Sequence, residues 1–193
     1  VNWPVTQKEL PLKFLPVAMF DVYPYWPSEV TDAAPGSYSR TRYQGYLEWL
    51  ARQYEGMPLL ISEFGFSTAP ESPTGVHSTE EEQGIRLMQC WCDILTADRP
   101  IAGGSVFEWN DEWWKQSSEA FVHSRSYDMT HHEKDDIEEW FGIISIDGPS
   151  SFQFTVRPKP AYWRVKEMYS ETFDPRAWLT EQAKKAAEEE QQP

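Results

Sequence analysis

The chain has 193 residues, of which 40% are hydrophobic and 15% aromatic, so it carries enough apolar material for one domain with a real core. Its formal net charge of −14 at pH 7 argues against nucleic acid and anionic lipid surfaces as partners, unless charge is locally segregated. No apolar stretch approaches the roughly 20 residues of a membrane-spanning helix and the first residues show no signal-peptide pattern, so a soluble protein without membrane insertion is expected, its location left open.

The chain opens on Val1 rather than Met, which leads us to expect that it is processed or cut from a longer product. Residues 2–16 are punctuated by prolines and read as a connector. Val17-Ala18-Met19-Phe20-Asp21-Val22-Tyr23 predicts a short strand, which Pro24-Tyr25-Trp26-Pro27 prevents from continuing. After a turn-rich stretch from Asp32 to Ser39, Tyr43, Tyr46, Leu47, Leu50 and Tyr54 recur at helical spacing and give a helix its packing face until Gly56-Met57-Pro58 ends it. Met57 to Ile61 then runs apolar without alternation, as a strand buried on both faces of a parallel sheet does, and the run stops at Ser62-Glu63-Phe64-Gly65.

Ser67 to Val76 reads as a loop, and Ser78 with Glu81 three residues later has the spacing of a capping box. The helix it opens carries Ile85, Met88, Cys92 and Leu95 on one stripe. Cys90 and Cys92 sit two apart on it and point in different directions, so no bond joins them. Ile101 to Phe107 is a third strand, with Gly103-Gly104 permitting close approach, and it ends in Glu108-Trp109-Asn110-Asp111-Glu112-Trp113-Trp114-Lys115. Gln116 to Glu139 is polar and acidic and reads as a surface excursion over the strand ends, in the manner of a lid. Trp140 to Gly148 returns to a short strand with a turn at Asp147-Gly148. Pro158-Lys159-Pro160-Ala161 opens a helix packed through Tyr162, Val165 and Tyr169. Residues 173–193 form a charged helical or disordered tail behind a domain of residues 1–172.

Strand-helix, strand-helix, strand-excursion-helix is the order of an α/β protein built from right-handed βαβ units, with polar and aromatic strand ends gathered on one rim. A TIM-type (β/α)8 barrel is the first candidate. Such barrels typically take about 250 residues, and three units are legible, so the last part of one is expected rather than the whole. The rim would hold Tyr23, Tyr25, Trp26, Glu63, Glu108, Trp109, Asn110, Asp111 and Trp113. Carboxylates beside flat apolar rings suit sugars, whose C–H faces stack on aromatics while acids act at the glycosidic bond. Retention needs two carboxyls about 5–5.5 Å apart and inversion about 6.5–9.5 Å. His131-His132 with Asp128, Glu133, Asp135 and Asp136 collects metal-ligand types, but adjacent histidines lack a zinc spacing, so neither metal nor cofactor is expected.

Asp21-Val22-Tyr23-Pro24-Tyr25-Trp26, Leu60-Ile61-Ser62-Glu63-Phe64-Gly65, Gly103 to Trp109, Trp140-Phe141-Gly142-Ile143 and Arg157-Pro158-Lys159-Pro160-Ala161-Tyr162 resemble the closing third of clan A retaining glycoside hydrolase barrels, of family 2 or family 5 type. The resemblance covers most of residues 17–169. It implies Glu63 as the nucleophile ending barrel strand seven, Tyr23 as the hydroxyl that holds that carboxylate ionised and aimed, and Trp109 as the floor under the sugar. From the rim composition, substrate contacts are expected also from Tyr25, Trp26, Glu108, Asn110 and Trp113, with an oligo- or polysaccharide as partner. Asp21 stands where family 2 members often have Asn. The family's acid/base is the Glu of an Asn-Glu pair, and this chain contains no Asn-Glu dipeptide. Three alternatives follow: a preceding segment of the same barrel supplies the acid, one of Glu108, Asp111 and Glu112 replaces it, or the domain binds sugar without cleaving it. A barrel short of strands also leaves an open edge for such a segment or for a second copy.

Overall fold

The computed structural model describes residues 17–23, 42–71, 78–98, 101–112, 115, 133–150 and 153–189. In chain order they form β1 (Ala18–Asp21), α1 (Arg42–Gln53), β2 (Leu59–Phe64), α2 (Glu80–Thr96), β3 (Ile101–Val106), a 3-10 turn (Ile137–Trp140), β4 (Ile144–Ser150), β5 (Gln153–Pro158), α3 (Pro160–Met168) and α4 (Pro175–Glu189). The chain divides into two compact units, residues 1–64, 90–105 and 175–193 in one, residues 65–89 and 106–174 in the other.

The first unit holds a three-stranded sheet in the order β1-β2-β3, with β1 parallel to β2. This is the α/β arrangement the sequence predicts, although the described strands make an open sheet and not a closed barrel. Ala18, Leu59, Ile61 and Phe64 are buried while Met19 stands 56% exposed and Leu60 is half-buried. Within the apolar run of β2, Leu59 and Ile61 are thus the fully covered side and Leu60 is only half-buried, where the composition suggests burial on both faces. Helix α1 packs through Tyr43, Leu47, Leu50 and Ala51. Tyr46 and Tyr54 are half-buried instead, Tyr46 stacking on Trp49 and Tyr54 tilting against Phe20. Two polar side chains join that buried face. Gln44 Nε2 donates to Thr96 Oγ1 at 3.0 Å, and Glu48 Oε1 accepts the Asp98 N–H at 3.2 Å. Gly56 follows the helix at φ +88°, a left-handed conformation that favours glycine.

In the second unit the N-terminal half of α2 starts one residue later than the Ser78/Glu81 spacing implies. The reciprocal cap is Thr79 with Glu82: Thr79 N–H donates to Glu82 Oε2 at 2.8 Å, and Glu82 N–H to Thr79 Oγ1 at 3.2 Å. Ser78 is buried and its N–H donates to the Ser67 carbonyl. β4 and β5 form an antiparallel hairpin. Strand β4 continues past Asp147-Gly148, where the sequence predicts a turn: Asp147 pairs with Thr155 and Ser150 with Gln153, with the register slipping between them. β5 is a further strand, in which Phe154 and Val156 alternate with Gln153, Thr155 and Arg157. Helix α3 has Pro160 at its start, as predicted, but its buried residues are Ala161 and Met168, while Tyr169 lies exposed beyond its end. Gln83, fully buried on α2, donates through Nε2 to the carbonyls of Phe66, Phe141 and Gly142 and ties three segments together.

Part of the expected surface excursion is anchored. Ile137 is buried against Ala69, the Ser67 hydroxyl donates to the Ile137 carbonyl at 2.8 Å, and Thr68 N–H donates to the Trp140 carbonyl at 3.0 Å. Residues 116–132 lie outside those described. Of the tail, 175–189 are helical, and Trp178 is buried.

Glycine spacing gives a direct check. A Cβ at Gly65 would run into the Phe107 carbonyl and one at Gly142 into the Asp111 and Asn110 backbone, whereas one at Gly56 meets open space and only an unfavourable φ. Gly65→Ala and Gly142→Ala are expected to cost about 3 kcal/mol or more and Gly56→Ala about 1 kcal/mol, read by chemical denaturation.

Candidate functional site

Parallel pairing sets the first group of residues. Phe20 pairs with Ile61, but Asp21 pairs with Glu63, so the register slips by one residue between them. Such a bulge re-aims the side chains beyond it. Val22 N–H still donates to the Glu63 carbonyl at 2.8 Å, which keeps the chain beside β2 past the end of β1. Tyr23 Oη then donates to Glu63 Oε2 at 2.8 Å, and Ser62 Oγ donates to Asp21 Oδ1 at 2.7 Å. Tyr23 and Glu63 are both half-buried, covered enough to strengthen the bond and open enough to meet a ligand.

The second unit carries Glu108, Trp109, Asn110 and Asp111. After β3, residues 108–111 lie beside residues 141–144: Ile143 N–H donates to Glu108 O, Ile144 N–H to Trp109 O and Asp111 N–H to Ile144 O, each at 3.0 Å. Trp109 is 62% exposed and meets Tyr162 edge to face at 6.0 Å between centroids. Asn110 folds its amide back on the Asp111 carbonyl at 2.9 Å. Glu108 is half-buried, its Oε2 3.7 Å from Lys115 Nζ. Tyr25, Trp26 and Trp113 lie outside the described residues, as do Asp128, His131 and His132. Glu133, Asp135 and Asp136 belong to a hydrogen-bonded turn, in which Asp136 Oδ1 caps Glu138 N–H and Glu139 Oε2 accepts the Glu133 N–H. Among the described residues no cluster of three or more His, Cys, Asp or Glu is arranged to hold a metal ion.

Asp111 has a partner the sequence did not reveal. Lys159 Nζ lies 2.7 Å from Asp111 Oδ1 and 3.0 Å from Thr68 Oγ1, and the lysine and aspartate side chains are 1% and 0% exposed. Burial pushes the Asp111 carboxyl up to about 6, opposed by the Lys159 charge and hydrogen bond. Burial pulls the Lys159 ammonium down, opposed by Asp111. Lysine is almost never found fully buried unless paired, and in Pro158-Lys159-Pro160 only the flanking prolines hint at a constrained place. Asp111 is thereby held in a buried ion pair.

No protein-family model matches the chain, and no curated protein matches it. Solved structures of partial similarity include a GH2 beta-galacturonidase from Eisenbergiella tayi bound to galacturonate, 21% identical over 79% of this chain and 23% of its own length, with a TM-score of 0.47. A Faecalibacterium prausnitzii beta-glucuronidase is 18% identical over 82% of this chain and 22% of its own, with a TM-score of 0.44. An aphid myrosinase is 16% identical over 66% of this chain and 23% of its own, also at 0.44. The chain thus spans less than a quarter of the length of each of these three proteins.

The buried pair invites a double-mutant cycle. Lys159→Met strands the Asp111 carboxylate and is expected to cost about 3–5 kcal/mol near pH 8, whereas adding Asp111→Leu should return most of that loss. A buried carboxylate without its cation takes up a proton more readily, so the Lys159→Met loss should shrink as pH falls toward 5. Urea unfolding at the two pH values checks both.

Proposed function

We propose that this chain is a carbohydrate-active domain of the retaining β-glycosidase type, with Glu63 as nucleophile. The observation that carries the reading is the 2.8 Å hydrogen bond from Tyr23 Oη to Glu63 Oε2 beyond the bulge that ends the β1–β2 pairing. A phenol donating to a carboxylate fixes one oxygen, which leaves the other to attack. In the proposed reaction a Glu63 oxygen bonds to the anomeric carbon as the glycosidic C–O bond breaks, and the leaving oxygen takes a proton from a second carboxyl about 5–5.5 Å away. Water or another sugar then displaces Glu63 with that second group acting as base. Trp109 and, outside the described residues, Tyr25, Trp26 and Trp113 are proposed to supply stacking faces, with Glu108 and Asn110 as polar contacts. We further propose that the three strands and their helices are units of a (β/α) barrel within residues 1–172, with 173–193 as its tail.

A second reading rests on one observation, the lack of any Asn-Glu dipeptide: a sugar-binding domain without turnover. The two separate on a covalent label. An activated fluorinated β-glycoside, whose leaving group departs without acid assistance, is expected to modify Glu63 in the full chain, as peptide mass spectrometry would show. Modification of another residue, or none despite measurable sugar binding, overturns the nucleophile assignment. Tyr23→Phe should slow labelling about 10–150-fold, the value of one hydrogen bond to a charged group, while Glu63→Gln abolishes it.

The edge of β1 pairs with no further strand among the described residues, and exposed Val17 and Met19 lie on it. Light scattering at rising concentration is expected to show self-association through that edge. A monodisperse monomer throughout the range refutes it.

A further inference from the structure

Three carboxylates share one ammonium where the loop after β3 meets the Ile137–Trp140 turn. Lys115 Nζ lies 3.4 Å from Glu112 Oε2 and 3.7 Å from both Glu108 Oε2 and Glu138 Oε2, and it sits 3.9 Å from the centroid of the Phe107 ring. If all four groups were ionised they would sum to a net charge of −2 at a place largely withdrawn from water. Repulsion and burial both oppose that state, and a carboxyl that takes up a proton relieves both.

Geometry selects which one. Glu108 is the most enclosed of the three, 12% exposed against 25% for Glu112 and 30% for Glu138. Its Oε1 is shut off from solvent and meets no hydrogen-bond partner among the described residues, so an ionised Glu108 would bury unsatisfied charge. Asp111, on the same segment, adds further repulsion, and only Lys115 favours ionisation. The same cluster also joins two elements: Lys115 and Glu112 leave β3, Glu138 belongs to the turn, and Glu112 N–H donates to the Glu139 carbonyl at 3.0 Å.

We propose that Glu108 is a neutral carboxylic acid at neutral pH, hydrogen-bonded to Glu112, and that loss of its proton to solvent in alkaline solution loosens the junction between the loop after β3 and the Ile137–Trp140 turn. The protonated cluster carries a net charge of −1 and Lys115 bridges the remaining two carboxylates; deprotonation restores the third. Burial, seconded by Glu112 and opposed by Lys115, places the Glu108 titration at about 8. The sign follows from linkage. A carboxyl whose titration is raised on folding holds a proton the unfolded chain has released, so stability falls as pH climbs from the ordinary carboxyl range to about 8 and then levels off. Asp111, at about 6, is already ionised over the upper part of that range.

The test is a carbon-13 titration of the full chain labelled at glutamate carboxyls, with thermal melts of wild type and Glu108→Gln from pH 6.5 to 9.5. One resonance is expected to titrate near pH 8 and to be missing from the variant. The melting advantage of Glu108→Gln over wild type should grow up to pH 8 and then hold constant, because the amide keeps the neutral shape at every pH. Lys115→Met removes the opposing charge and should move the midpoint upward. The proposal is overturned if every glutamate titrates below pH 6, if the melting difference does not vary with pH, or if the Lys115→Met midpoint stays in place.

Discussion

A lysine ammonium and an aspartate carboxylate 2.7 Å apart, both withdrawn from water, form the constraint on which the second unit depends. Lys159 stands at the start of α3, Asp111 in the segment beyond β3, and Thr68 in the loop after β2, so one ammonium fixes three stretches distant in sequence. The pair is not a simple gain in stability. Each ion loses hydration on burial, and their attraction offsets that loss only because the lysine also finds a hydroxyl. What the pair provides is position: a shift of the Asp111 or Lys159 stretch would leave a buried charge without its counterpart, and a shift of the Thr68 stretch would cost the lysine a hydrogen bond. Gln83 repeats the logic without charge, with one buried amide nitrogen drawn on by three carbonyls.

In the first unit the corresponding constraint is backbone pairing. Parallel strands set side chains by register, and a single slipped residue decides which group faces which. Between Phe20 and Asp21 the slip occurs, and beyond it Tyr23 reaches Glu63 while Asp21 receives the Ser62 hydroxyl. The two carboxylates are thus differently supported, one by a phenol and one by an alcohol. The Tyr23–Glu63 bond is half-buried, and a hydrogen bond shielded from water is stronger than an exposed one. In the second unit burial raises the Glu108 titration, opposed by Lys115 and seconded by Glu112 and Asp111. Environment rather than residue type separates carboxyls along this chain.

Much of this was legible from residues alone. The unbroken apolar run before Glu63 marks β2, the Tyr43–Leu47–Leu50 spacing marks α1, and Pro160 marks the start of α3, because these signals are local and depend on side-chain period and backbone restriction. The pairing of Tyr23 with Glu63 was reached through resemblance; spacing could not give it, since forty residues intervene. Where reading failed, a long-range partner had decided the matter. The helix cap moved from Ser78 to Thr79 while the Ser78 amide hydrogen donates to Ser67. The turn expected at Asp147-Gly148 is absent because β5 pairs across it. A lysine between two prolines gives no sign that it is buried, and three glutamates around one lysine give no sign of where a proton rests. The sequence by itself determined the α/β alternation and the placement of acids at strand ends. Tertiary structure alone decided which charges lost water and which partner each then met, because desolvation is a property of the packed chain and has no period to read.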